Sequence, residues 1–335
     1  MGEGINFGIY KMNISLLRKW NKDFASQFSR RLTSKEKERF LDKIEEELQV
    51  RNYESERVKV KHWGFTNRLL SSKCEKPKVV FLAHYDTPTI MPLGISIVST
   101  LFGHTKQDLG SIFLIFLILL LATLHLWLKL IGLDHWATAY MVIMSFLFVI
   151  PIFFPNPHNA EDNTSGVIGL LALAEQIKDQ DFKEKVQFVF LDNEEWGLIG
   201  SNALKKIWQR ENHLRANTIM INLDCISRGE TPLLVYHHNN RVAQEVLPFL
   251  EQHLPQTQML DMKRVPLSDN FTFRERGAVD ISYADPSVIP GGFYIPKVHS
   301  PSDKDFFPEK TAQLIDALTD FLEVKLSDTV GKSGI

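Results

Sequence analysis

The sequence predicts an α/β fold, a three-layer sandwich around a central, largely parallel mixed sheet, with a two-helix transmembrane hairpin inserted into it. Three observations predict this. Dense apolar runs of strand length (KVVFLAHYD, VQFVFLDNEE, NTIMINLDCIS) alternate with helical patterns (SGVIGLLALAEQIKD, GSNALKKIWQREN), the order that builds a sheet covered on both faces. Each run ends in a carboxylate or an imidazole. A long, mostly apolar segment separates the first run from the second.

At 335 residues and 44% apolar content, the chain can bury one large core. A net charge of −2, with Lys and Arg spread among acids, excludes a nucleic-acid reader. Cys74 and Cys225 lie far apart, which argues against a disulfide scaffold and for two buried thiols in a reducing compartment. The amino terminus lacks a continuous apolar core followed by a small-residue cleavage site, so no signal peptide is expected. Gly2 is not read as a myristoylation site, because position 6 is Asn.

Residues 1–32 mix aromatic and basic side chains in FGIYKMNISLLRKW and read as an amphipathic segment lying on a membrane surface. Thr33 and Glu36 form a capping box, and Phe40, Ile44 and Leu48 repeat at helical spacing behind it. VKVKHWGFTNRLLS reads as strand, and KVVFLAHYD as a strand buried on both faces. After the insertion the alternation resumes. VAQEVLPFLEQHL and KTAQLIDALTDFLEVKL then read as amphipathic helices. No repeat or low-complexity linker divides the chain, so residues 33–92 and 156–335 form one catalytic domain interrupted by a membrane segment at 93–155.

Within that segment, 109–128 and 136–155 each give twenty residues that as a helix would reach roughly 30 Å, the hydrocarbon thickness of a bilayer. LIFLILLLATL has almost no polar face. His125 is expected to face the interface or the partner helix, and Pro151 to bend a last turn. TIMPLGISIVSTLFG, broken by Pro92 and Gly94, reads as a re-entrant or surface-lying approach rather than a third span. If His84 and Asp162 share one site, the chain between them crosses the bilayer an even number of times. Lys106 and Lys129 nearly balance under the positive-inside rule. The charge-rich part ahead of Leu109 places the catalytic domain in the cytoplasm, on a bacterial cell membrane.

His84, Asp162, Glu195, Asp224 and His299 are the candidate metal ligands. His84 in HYD ends a buried strand, and Asp86 is spaced to hold the second imidazole nitrogen. Asp162 precedes an apolar helix in EDNTSG, where it would otherwise be a helix cap, with Glu161 beside it. Glu194 and Glu195 follow VQFVFLDN, so one can ligate a metal while the other holds a water. Asp224 ends INLD, and His299 lies in KVHSPSD. Oxygen and nitrogen donors without cysteine suit zinc in a catalytic rather than a structural role.

The ordered motifs HYDT, EDNTSG, FLDNEEWGLIGS, NLD, SDNFTFRERG and VHSPSD resemble the zinc peptidase family of bacterial leucyl aminopeptidases, whose relatives include glutamate carboxypeptidase II and the glutaminyl cyclases. The resemblance implies two zinc ions, one held by His84 and Asp224, the other by Glu195 and His299, with Asp162 bridging. It implies Glu194 as general acid/base, Asp86 as the partner of His84, and a cis peptide between Asp162 and Asn163. The usual SDH reads SDN here, with Asn270 in place of His. Tyr294 is a candidate for substrate binding or oxyanion contact, packing being the plainer role. The expected function is a membrane-anchored dizinc aminopeptidase acting on peptides, with the hairpin favouring hydrophobic or membrane-associated ones and membrane lipid as the other partner. The alternatives are a single-zinc, glutaminyl cyclase-like acyltransferase and a noncatalytic membrane scaffold.

Overall fold

The computed structural model describes residues 11–103, 107–262 and 268–327. Gly2, the first ten residues of the expected amino-terminal segment, and Lys106 lie outside the described residues.

The centre is a nine-stranded mixed sheet: β1 (Ser55–His62), β2 (Phe65–Ser72), β3 (Val79–His84), β4 (Val186–Leu191), β5 (Ile219–Leu223), β6 (Thr231–Tyr236), β7 (Gln258–Asp261), β8 (Val279–Pro286) and β9 (Phe293–Tyr294). The spatial order is β1-β2-β4-β3-β5-β8-β6-β7, with β9 beside β8. The middle four, β4-β3-β5-β8, are parallel, and the pairs β1/β2, β2/β4, β6/β8 and β8/β9 are antiparallel. β1 and β2 close through Trp63 and Gly64, both at positive φ (50° and 84°), the two-residue turn whose twist suits a hairpin.

Strand periodicity sorts the core. Val79, Phe81 and Ala83 of β3 face a cluster with Phe188, Phe190, Ile219 and Ile221, while Val80 and Leu82 face the opposite side with Val189, Leu191 and Met220. The first face is covered by α1 (Ile14–Gln27), α2 (Ser34–Val50), α6 (Gly166–Ile177), α8 (Arg241–His253) and α9 (Pro308–Leu326). The second is covered by α7 (Ile199–Glu211) and the turn carrying Phe273. The Thr33/Glu36 capping box starts α2 as the sequence predicts.

Over Ile14–Gln27, α1 departs from the expected surface-lying helix. Its apolar face is spent on the domain, with Leu17, Trp20 and Phe24 fully buried and Trp20 Nε1 donating to Glu47 Oε2 at 2.9 Å, so it is a core helix and not a surface-lying one. Cys225 is buried and Cys74 partly exposed, and both are unpaired.

The insertion contains α3 (Leu93–Phe102), α4 (Gln107–Leu130), α5 (Asp134–Phe148) and a 3₁₀ turn at Ile150–Phe153. α3 begins directly after Pro92, where a proline costs a helix nothing. Among the described residues, one helix, the 22 residues Leu109–Leu130, is long and apolar enough to cross a membrane, and almost none of it is buried. The expected second span does not form as one twenty-residue helix: α5 has 15 residues, about 22 Å of rise, before Pro151 tightens the chain into the 3₁₀ turn. α4 packs on α5, where His125 stacks on Tyr140 at 6.4 Å and Tyr140 donates to the Leu121 carbonyl at 2.9 Å. His125 thus faces the partner helix. Both ends of the insertion meet at the domain, where Ile90 N donates to Phe154 O (2.9 Å) and Asn156 N to Pro88 O (3.0 Å).

Candidate active site

β3 is flanked by β4 on one side and β5 on the other, so the chain winds both ways from it, and a crevice opens beyond its carboxyl end. His84 is the last residue of β3, Asp224 follows β5, and Glu194 and Glu195 follow β4 after a short turn. Parallel pairing therefore delivers an imidazole and three carboxylates to one edge. Asp162 comes from the irregular turn Ala160–Ser165 ahead of α6, and His299 from the loop between β9 and α9.

All five predicted ligands meet there. His84 Nε2 lies 3.4 Å from Asp162 Oδ1 and 3.6 Å from Asp224 Oδ1. His299 Nε2 lies 3.0 Å from Asp162 Oδ2 and 3.4 Å from Glu195 Oε2. Asp162 thus presents one oxygen to each imidazole, with a donor group on either side of it. His84/Asp162/Asp224 and Asp162/Glu195/His299 each offer ligand atoms within 4.8 Å of one another, and His84/Glu194/Glu195 do so as well.

The peptide bond between Asp162 and Asn163 is cis. Asn163 anchors this turn to β5: its Oδ1 accepts from Gly166 N (2.9 Å) and Cys225 N (3.2 Å), and its Nδ2 donates to Leu223 O (3.0 Å). The backbone N–H groups of Glu161 and Asp162 both donate to the buried Asp303. Glu161 is not a rival ligand, since its carboxylate accepts from Ser227 N and Arg228 N (both 2.8 Å) and from the Ser227 hydroxyl.

Asp86 holds two sides of the site together. Its Oδ1 lies 3.5 Å from His84 Nδ1 and accepts from Glu194 N at 3.0 Å, while Oδ2 accepts from Glu195 N at 3.4 Å. The Glu194 loop is fixed from behind by Lys37, whose ammonium donates to Asp192 Oδ1 and to Asn193 Oδ1 (2.7 Å), with Asp192 Oδ2 accepting from Arg68 N (2.9 Å). Arg31, fully buried, donates to the Tyr85 and Phe28 carbonyls and to Thr164 Oγ1, joining the residue after His84 to the turn that holds Asp162.

The electrostatics call for positive charge. Burial pushes the Glu194 and Glu195 carboxyls well above the ordinary range, and neighbouring acids (Asp269, Asp224 and Asp86 for Glu194, Asp162 for Glu195) push further. Burial disfavours the His84 imidazolium, but Asp224, Glu194 and the contact with Asp162 outweigh it and raise His84 well above its usual value. Burial also opposes ionisation of Asp162, yet hydrogen bonds from His299 and His84 hold its carboxyl below the usual range. A cation held between these imidazoles and carboxylates would neutralise the acids. Glu195 Oε1 is buried without a hydrogen-bond partner among the described residues. An orphaned carboxylate oxygen beside hard oxygen and imidazole donors fits zinc.

Tyr294 sits on β9, backbone-paired with Asp285 and partly buried. Asn270 is buried with neither amide atom hydrogen-bonded among the described residues. The supports missed by sequence reasoning are Arg31, Lys37, Asp192 and Asp303. Asp192 and Asp303 lie inside motifs already recognised, whereas Arg31 and Lys37 carry no local signal.

Residues 133–314, more than half of the chain, match Peptidase family M28. That stretch contains Asp162, Glu194, Glu195, Asp224 and His299, while His84 precedes it. No curated protein matches the chain. Among solved structures, the LapA aminopeptidase of Legionella pneumophila is similar at 13% identity and a TM-score of 0.62, over 95% of this chain and 73% of that one. A Zn-dependent exopeptidase from Parabacteroides distasonis is similar at 14% and 0.60, over 96% and 100%. A glutaminyl cyclase from Bacteroides thetaiotaomicron is similar at 13% and 0.61, over 94% and 98%. At these identities the likeness is one of fold. The chain belongs to peptidase family M28, a family of zinc-dependent peptidases.

Proposed function

We propose that the protein is a membrane-anchored dizinc aminopeptidase. The observation that carries this reading is the two-sided environment of Asp162, with one carboxylate oxygen 3.4 Å from His84 Nε2 and the other 3.0 Å from His299 Nε2. In this reading His84 and Asp224 would hold one zinc ion and Glu195 and His299 the other, with Asp162 placed to serve both. When bound, the pair of ions would lower the pKa of a water and polarise the substrate carbonyl.

The protein's own groups do the rest. Glu194, whose burial raises its proton affinity, takes a proton from the attacking water and returns it to the departing amine. Asp86, with Oδ1 3.5 Å from His84 Nδ1, pins the Glu194 and Glu195 backbone, so base and ligand loop stay beside that imidazole. Tyr294, partly buried on β9, is assigned to packing. A glutaminyl cyclase-like reading needs one metal ion, but His84 and Asp224 lie 3.6 Å apart at the same site as the other three ligands, which favours two.

The catalytic domain comprises 33–92 and 156–335, joined by α1, and the insertion at 93–155 anchors it. The exposed apolar length of α4, its packing on α5, and the meeting of both flanks at one place support a hairpin that enters and leaves the bilayer on one side. We place that side in the cytoplasm of a bacterial cell. Hydrolysis of leucine p-nitroanilide in detergent tests the chemistry: chelator and Glu194→Gln should each abolish it. Digestion of a peptide library should show progressive loss from the amino end, and internal or carboxyl-end cuts would overturn the aminopeptidase assignment. Extraction of membranes with alkaline carbonate should leave the full chain in the pellet.

A further inference from the structure

Where the chain leaves the insertion, a cavity of about 330 Å³ opens between α1 and the loops at His158–Ala160 and Asp303–Lys304. It is lined by Lys22, Ser26 and Ser29 from the α1 side and by His158, Asn159 and Lys304 from the other. Among the described residues neither Lys22 nor Lys304 has a carboxylate partner. The one acid in the wall, Asp303, is fully buried and already accepts from the N–H groups of Glu161 and Asp162. Lys22 on the α1 side and Lys304 on the facing loop thus bring two ammonium groups to one cavity, while burial and Lys304 lower the basicity of His158, which stands there as a neutral hydrogen-bonding group. An anion there would supply the counter-charge that the two ammonium groups lack.

The position of the cavity indicates which anion. His158 follows, by only a few residues, the exposed apolar side chains Ile152, Phe153 and Phe154 at the end of the insertion. Apolar side chains at that point, with lysines and serine hydroxyls just beyond, reproduce the order of a bilayer surface passing from acyl chain to phosphate. Arg18 and Lys19 continue the exposed basic face of α1, although Arg18 already pairs with Glu309.

We propose that this cavity binds the headgroup phosphate of an anionic phospholipid, seating the catalytic domain on the membrane surface beside its hairpin. The inference rests on the membrane reading above. It is tested by reconstituting the full chain in nanodiscs of phosphatidylcholine with one fifth phosphatidylglycerol, re-extracting it gently, and counting retained lipids by native mass spectrometry. Wild-type protein should retain phosphatidylglycerol above its bulk share, and each of Lys22→Glu and Lys304→Glu should cut that enrichment by about fivefold, the equivalent of about 1 kcal/mol. Activity on a soluble peptide should stay within about twofold in both variants, because neither lysine touches the five-ligand cluster.

A protein that enters nanodiscs but retains lipids at the bulk ratio would overturn the headgroup site and leave the anchor standing. Failure to enter nanodiscs at all would overturn both. Inorganic phosphate that binds the wild type in detergent and competes away no lipid would identify the cavity as a free-phosphate site and refute the lipid assignment.

Discussion

Lys37 is 4% exposed, and its ammonium is the counter-charge of Asp192, which is fully buried immediately ahead of Asn193, Glu194 and Glu195. Replacing it in Lys37→Met keeps the volume and removes the charge. Asp192 would then keep the Arg68 N–H at 2.9 Å but lose its cation, and Asn193 Oδ1 would lose its donor at 2.7 Å. Stranding one member of a buried ion pair costs about 3–5 kcal/mol. At an unfolding entropy of about 2.1 cal/mol/K per residue, a cooperative catalytic domain of roughly 240 residues would lose about 6–10 °C in Tm. The loop that shifts is the one carrying Glu194, and a misplacement of about 1 Å at a reacting group lowers rate by about 100-fold, so kcat should fall more than KM rises. The assay is urea unfolding with parallel kinetics on leucine p-nitroanilide. Lys37→Met/Asp192→Asn should recover more than half of the lost stability, because the stranded charge is gone. A loss below about 1 kcal/mol in the single variant, or no recovery in the double, would refute the reasoning.

Leu17→Ala should destabilise the protein by about 2–5 kcal/mol in chemical unfolding, since α1 is a core helix; a helix lying on lipid would give almost no change. Gly166→Ala places a methyl group against the Leu223 carbonyl and the Asn163 amide, and should cost about 1–3 kcal/mol together with weaker zinc binding by isothermal titration. Asp303→Ala leaves the N–H groups of Glu161 and Asp162 without their acceptor, and should cost about 1–3 kcal/mol and lower kcat. A wild-type Tm at any of these three positions would show that the corresponding contact contributes nothing.

The sheet that positions the site was legible because its interior strands are buried on both faces and read as unbroken apolar runs, each stopping where it becomes polar. β6 to β9 were not. VDISYADP is an interior strand but alternates Asp280 and Ser282 with its apolar residues, TPLLVY opens on Thr-Pro, and Gln258–Asp261 carries alternation too brief to count, so none reads as an unbroken apolar run. The capping box fixed the start of α2, but the role of α1 depended on what its apolar face would meet: protein and lipid select the same pattern, and only the packing against α6 and α9 decides. The second span failed as a single helix because Pro151, expected only to bend a last turn, sits in a 3₁₀ turn that follows the end of α5 at Phe148. The five candidate ligands converge because parallel strands share a carboxyl edge. Arg31 and Lys37 escaped notice because a buried cation looks in sequence like any surface lysine or arginine, and its significance lies in partners more than fifty residues away in the chain.

The central claim is that Asp162 stands between two zinc ions. Anomalous diffraction at the zinc edge from crystals of the detergent-solubilised protein tests it directly. The account predicts two peaks about 3.5–4 Å apart, one against His84 and Asp224 and one against Glu195 and His299, with an Asp162 oxygen on each. A single peak, or metal bound away from these five side chains, would contradict it.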